Sequence, residues 1–313
     1  MSTIEVQAPG LLTTVQDLGR EGFGPMGVSP SGAADAVSLR LGNRLVGNAE
    51  GAAALEMTLV GGAFVFPQGA VIALSGSDFG ATLDGAPAGL WASVQVQPGQ
   101  TLRLGATGTG ARSYLCVQGG IAVEPLLGSA STHVLSGLGG FEGRALRRGD
   151  ALRIGPRGGP FPRRTADAKA LERLSPRKVL RVTAGPQSDW FSESSQHVFY
   201  GGAYRVAEES NRMGLRLEGA PVAADSGRDM ITEGVPLGAV QVPAGGQPII
   251  LFVEQQTTGG YPKIANVIFA DFHSVGQLRP RDKIRFERVE FGTAQSLLRE
   301  QETLLASEKL IQQ

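Results

Sequence analysis

The chain has 313 residues, enough for two cores, and its 29 basic side chains balance its 29 acidic ones. That balance argues against nucleic acid or an anionic membrane surface as the main partner, since both favour a basic excess. A hydrophobic fraction of 42 % is ordinary for a globular protein, and the single cysteine, Cys116, excludes an internal disulfide.

The opening stretch MSTIEVQAPGLLTTVQD lacks the basic and apolar regions of a signal peptide. No apolar run approaches the roughly 20 residues of a membrane helix, so the expected location is the cytoplasm. TTVQDLGREG (13–22) then gathers Gln16, Asp17 and Arg20 around Gly19. It reads either as a polar binding segment or as a loop braced by a buried Asp–Arg pair. SGAADAVSLRLGNRLVGN (31–48) predicts a helix with a serine start, a Gly-Asn stop and Val37, Leu41 and Leu45 on one face.

GAFVFPQGAVIALSG (62–76) predicts strands, as does RSYLCVQGGIAV (112–123), in which Cys116 is expected to be inert core. LSGSDF (74–79) sets Ser75, Ser77 and Asp78 at a strand end. These groups either meet a substrate or close a turn in which Asp78 bonds its own backbone. GATGTG (105–110) opens no helix and so offers no phosphate-binding dipole; a hairpin turn is expected there. SGLGGFEGR (136–144) reads as a surface loop, although its backbone amides are of the kind that wrap anions.

PGQTLRLG (98–105), RGDALRIG (148–155) and PRDKIRFE (280–287) repeat one pattern, a turn followed by apolar-Arg-apolar. The alternation places each arginine on the face opposite its neighbours. A proline-rich and basic segment, 155–178, reads as a linker with a short helical centre. Beyond it KVLRVTAG (178–185), QPIILFVE (247–254) and IANVIFADF (264–272) predict strands. The last 22 residues predict a helix with Leu297, Leu298, Leu304, Leu305 and Ile311 on one stripe. His133, His197 and His273 show no ligand spacing, so no metal site is expected.

Between two of these strands lies QQTTGGYPK (255–263). Gly259 and Gly260 suit a type I′ hairpin turn. A hairpin, however, needs only the glycines, and not the amides, hydroxyls, phenol and ammonium beside them. Gln256, Thr257, Thr258, Tyr261 and Lys263 suit a small amide-containing acid, since they donate to C=O or carboxylate and accept from N–H.

The chain resembles the biotin-dependent carboxyltransferase-domain family, also described as allophanate hydrolase subunit 2. The resemblance rests on GLLTTVQDLGREG, GVSPSGAADAVSLRLGNRLVGN, LSGSDF, RSYLCVQGGI, LGSAST, NRMGLRL, GAVQVPAGGQPIILFVEQQTTGGYPKIANV and ADFHSVGQLRP, in order along nearly the whole chain. It implies a mainly β fold of cyclophilin-like β-barrels with a few short helices and a C-terminal helix. The expected division is an N-terminal domain at 1–155, a linker at 156–178 and a C-terminal domain at 179–313.

The resemblance also implies two partners, a directly bound B-type component of 5-oxoprolinase and an A-type component. With them the family opens 5-oxoproline (pyroglutamate) to glutamate at the expense of ATP. In fused relatives the same module transfers carboxyl from carboxybiotin to urea, and a non-catalytic regulatory role toward the B-type partner is the remaining alternative. None of the five methionines neighbours a lysine, so the chain carries no covalent biotin; without a P-loop, ATP is expected to bind with the partner proteins. The chain alone is expected to be inactive. Both chemistries need an amide held by its N–H and C=O while charge develops on oxygen. The candidates are Asp17, Tyr261 and Lys263 for catalysis. For substrate binding they are Gln16, Arg20, Ser77, Asp78, Gln256, Thr257, Thr258, Gly259, Gly260 and Tyr261. The resemblance implies Asp two residues before Gln256, where this chain has Glu254.

Overall fold

The computed structural model describes residues 2–156, 158–159, 161–224 and 230–313; Arg157 and Pro160 of the expected linker lie outside the described residues. The fold is mainly β, with five α-helices among the described residues. It forms two compact units, 1–20 with 31–174 and 304–313, and 21–30 with 175–303.

In the first unit two open sheets share a core. One has six strands in the order Ala151–Arg153, Thr3–Ala8, Ala63–Val65, Thr101–Arg103, Thr82–Leu83, Ala86–Pro87. The other has five, in the order Leu12–Gln16, Ala54–Thr58, Arg112–Val117, Ala70–Gly76, Ser93–Val96. Strand alternation does the sorting. Leu55, Met57, Ile72, Leu74, Leu115 and Val117 face the six-stranded sheet's Ile4, Phe64, Leu102 and Leu152. Ala54, Ala73, Tyr114 and Cys116 lie on the opposite face with Leu39 and Leu45 of the helix Ala36–Leu45. That helix starts at Asp35, whose carboxylate accepts from Ser38 N, and not at the expected serine. Its other face, Val37 and Leu41, packs on Ala170, Leu174, Leu305 and Leu310. The helical centre of the expected linker, Ala168–Arg173, is therefore part of this unit's core.

GATGTG joins strands of different sheets, Thr101–Arg103 and Arg112–Val117, so it is a crossover and not a hairpin turn. The C-terminal helix, Phe291–Ala306, ends before Ile311, which sits in a short strand paired with Thr165–Ala166. The repeated apolar-Arg-apolar pattern behaves as expected. Arg103, Arg153 and Arg285 are exposed while Leu102, Leu152 and Ile284 are buried.

The second unit is a closed seven-stranded barrel in the order Val179–Ala184, Lys263–Val267, Ala239–Gln241, Ile249–Leu251, Gly214–Glu218, Tyr204–Val206, Lys283–Arg288. The parallel pairing of Val179–Ala184 with Lys283–Arg288 closes it. Phe199 of the helix Glu193–Gly201 stacks on Phe286 at 4.5 Å between ring centres. The expected strand 264–272 stops at Val267 and turns into the helix Phe269–Gly276. Asp271 explains the switch. From the helix's first turn its buried carboxylate accepts from Arg181 N and Nε at 2.8 and 2.9 Å, which fixes the helix against the neighbouring strand.

Candidate functional site

The candidate residues fall in both units. In the first, Gln16, Asp17 and Arg20 turn toward the segment 126–132 of the same unit. Asp17 Oδ1 accepts from Gly19 N at 2.8 Å, Ser129 Oγ at 2.7 Å and Ser131 Oγ at 2.5 Å; Oδ2 accepts from Ala130 N at 2.6 Å. Arg20 donates from Nη2 to Ser131 O and from Nε to Leu126 O. Gln16 Nε2 donates to Thr14 Oγ1 and Thr132 O, while its buried Oε1 has no partner among the described residues. Asp17 and Arg20 thus both brace the serine-rich loop. Asp78 behaves as a turn residue, its exposed carboxylate accepting from Gly80 N at 2.8 Å, and buried Ser77 donates its N–H to Arg112 O.

The segment 255–263 in the second unit is not a hairpin. The strands it joins, Ile249–Leu251 and Lys263–Val267, both pair with Ala239–Gln241, one on each side, so the chain must cross that strand. On the way Thr258–Gly259 pairs with Glu233–Gly234. Neither Gly259 nor Gly260 has positive φ, so the expected I′ turn is absent. Gly259 instead packs closely against side chains: a Cβ there would stand 2.6 Å from Gln241 Nε2 and 3.1 Å from Val235 Cγ1. Thr258, Gly260 and Tyr261 are exposed, Tyr261 at 48 %. Thr257 accepts from Val235 N through its carbonyl.

Lys263 is the exception. It begins a barrel strand opposite Gln241 and is 1 % exposed. The register is irregular here: Ala265 opposes Val240 and Lys263 opposes Gln241, which leaves Ile264 as the extra residue of a bulge. Bulges re-aim side chains, and this one sits where a lysine is buried. The ammonium lies 2.6 Å from Glu233 Oε1. That contact uses one of its three N–H groups, so donor capacity remains. Lys263, and then Gln187, hold the Glu233 carboxyl below the usual glutamate range. Around this pair the amides are only partly used. Gln256 Nε2 donates to Gln241 Oε1 at 3.3 Å, and Gln255 Nε2 donates to Val235 O at 2.9 Å. Gln241 Nε2 and Gln255 Oε1, both buried, have no partner among the described residues. A donor, an acceptor and a cation, here Gln241 Nε2, Gln255 Oε1 and Lys263 in the second unit, are the group types that a planar C(=O)–N group with an anionic substituent requires.

Glu254 is buried in an ion pair with Arg212, so this acid braces NRMGLRL and does not serve Lys263. Sequence reasoning missed Gln187, Glu233 and Gln241. Only Gln241 carried a local signal, as the polar residue inside the strand-like AVQVP. Among the described residues, no helix is long and apolar enough to cross a membrane, and no group of three or more His, Cys, Asp and Glu side chains is placed to hold a metal ion.

Comparison with known proteins agrees with this architecture. The profile of the family described as "Carboxyltransferase domain, subdomain A and B" matches residues 26–288. The chain is similar to the C component of the Escherichia coli 5-oxoprolinase, 39 % identical over 90 % of each chain. It is also similar to the C component of the Haemophilus influenzae 5-oxoprolinase, 37 % identical over 93 % of each. Among solved structures it resembles the K. lactis urea amidolyase with a TM-score of 0.89 and 32 % identity, over 99 % of this chain but only 21 % of that one.

Proposed function

The chain belongs to the carboxyltransferase-domain family, and from that premise we propose that it is the C-type component of an ATP-dependent 5-oxoprolinase. It works with its A- and B-type partners, and its barrel grips the lactam of 5-oxoproline for opening to L-glutamate. ATP is a co-substrate of the whole complex. The observation that carries the reading is the partly satisfied cluster around buried Lys263, with Gln241 Nε2 and Gln255 Oε1 open.

A lactam carbonyl is unreactive because nitrogen shares its lone pair with it, so hydrolysis needs charge drawn onto oxygen. Gln255 Oε1 accepts the lactam N–H and Gln241 Nε2 donates to the carbonyl oxygen, which fixes the ring plane. The Lys263 ammonium stabilises negative charge as it develops on that oxygen. Transfer of the ATP γ-phosphoryl group to that oxygen releases ADP and activates the carbon. One water adds there and breaks the C–N bond to give the free amine and an acyl phosphate, and a second water releases inorganic phosphate to leave the carboxylate of glutamate. Near-full coverage of the two 5-oxoprolinase components, against one fifth of the urea amidolyase, favours this substrate over urea.

The test is ATP turnover dependent on 5-oxoproline, measured for the purified chain alone and with the A- and B-type partners added. Turnover is expected only in the mixture, and Lys263→Met is expected to abolish most of it. Turnover by the single chain, or a mixture indifferent to Lys263, overturns the reading.

A further inference from the structure

Gln187 touches three parts of the Lys263 site at once. Its N–H donates to Lys263 O at 3.3 Å, its Oε1 accepts from Lys263 N at 3.2 Å, and its Nε2 donates to Glu233 Oε1 at 3.0 Å. That same oxygen faces the Lys263 ammonium at 2.6 Å. The result is a closed ring of main chain, amide, carboxylate and ammonium. Gly185 makes the ring possible. A Cβ at 185 would stand 2.2 Å from Lys263 O, so any side chain there would push the 185–187 turn off the strand. Gln187 is 8 % exposed and holds the lysine's backbone by two bonds.

We propose that Gln187 and Glu233 are positioning residues that hold the Lys263 ammonium at one fixed point while leaving N–H groups free for a ligand oxygen. The inference rests on the functional reading above, in which Lys263 meets the lactam oxygen. An unclamped lysine has four rotatable bonds and would sample many positions, so its charge would be present but badly aimed. Glu233 is suited to the task because its side chain is 44 % exposed. Water can complete its remaining lone pairs, which leaves the ammonium half-coordinated and not quenched. Strand pairing of Glu233 with Gly259 ties the clamp to the crossover segment, whose polar residues otherwise have no shared target.

The experiment uses the complex of this chain with its A- and B-type partners, assayed for 5-oxoproline-dependent ATP turnover. Glu233→Gln and Gln187→Leu are each expected to lower kcat about tenfold with KM within about threefold of wild type, because the lost aim matters most as charge develops. Glu233→Asp should recover part of the loss. Thermal unfolding of each variant identifies any that fails to fold; Gln187→Leu, which removes no charge, stands in if Glu233→Gln does. A rise in KM with unchanged kcat makes Glu233 a substrate contact and overturns the proposal, as does wild-type kcat in both variants. If Lys263→Met itself has no effect, the functional reading fails; if Lys263→Met is inactive while both clamp variants are normal, only the clamp fails.

Discussion

The Asp17 and Lys263 clusters are both buried, both polar and both built around one charged side chain on a strand or at its end. They differ in what is left over. The Asp17 carboxylate accepts four hydrogen bonds, all from neighbours in its own unit. Around Lys263 a cation has one imperfect partner, and an amide N–H and an amide oxygen have none among the described residues. A closed network is architecture, since burying unsatisfied groups costs more than they return. On the proposed function a ligand completes the open groups around Lys263. That cluster is then the seat and the Asp17 carboxylate part of the frame, although Gln16 Oε1 beside it is also open and both segments drew attention in the sequence for the same polar composition.

The sharpest way to break this contrast is Asp17→Ala. It strands four donors, three of them on the loop 129–131 or its hydroxyls, and should cost about 4 kcal/mol of stability. The denaturant midpoint reports this directly. A variant as stable as wild type but inactive would turn the frame into a site. Next comes Lys263→Met, expected to lower kcat/KM of the complex about 100-fold, or about 2.7 kcal/mol, with little change in unfolding temperature. Gln241→Leu should be milder, about tenfold in activity. Its stability should stay near wild type, because removing the unpartnered Nε2 offsets the loss of the long 3.3 Å bond that Oε1 accepts from Gln256. Loss of stability there would mean that the Gln256 bond to Oε1 outweighs the unpartnered N–H group.

The pH dependence separates the clusters more gently. Glu233 has its folded-state carboxyl lowered, first by Lys263 and then by Gln187. A lowered carboxyl contributes stability that is complete above the ordinary glutamate range and is lost as pH falls through the lower folded value. The pair should therefore survive mild acid, and Glu233→Gln should flatten the acid side of a stability–pH profile. The effect is small, because Glu233 is half-exposed and water screens the pair.

Local pattern made much of the fold legible. Period-two alternation placed Arg103, Arg153 and Arg285 outward, and helical spacing marked Val37, Leu41 and Leu45 as buried, although Leu45 packs on the other face of the helix from Val37 and Leu41. The site was less legible because its bonds are long-range. The partners of Asp17, Ser129 and Ser131, lie 112 and 114 residues away, so its bracing of that loop is not visible in its own segment. Gln187 and Glu233 are 46 residues apart and carried no motif. The crossover 255–263 read as a hairpin because strand order is not encoded in the segment that connects the strands. Within it, Lys263 differs from Thr258 and Tyr261 only by belonging to the barrel strand, a distinction of burial that composition does not carry.

The smallest effect tests that last distinction. Thr258 is exposed, and its main chain pairs with Gly234. Valine has nearly the same shape and a stronger preference for strands, so Thr258→Val removes one hydroxyl and leaves the pairing intact. If the crossover serves the site through its backbone, by holding Glu233 and leaving room at Gly259 for Gln241, the complex should turn over within about twofold of wild type. If the segment's own hydroxyls bind substrate, losing one should cost about tenfold, as expected for a hydrogen bond to a charged ligand group. A tenfold loss would move the seat from the barrel strand onto the crossover, and Lys263 would then be only one of several groups aimed from it.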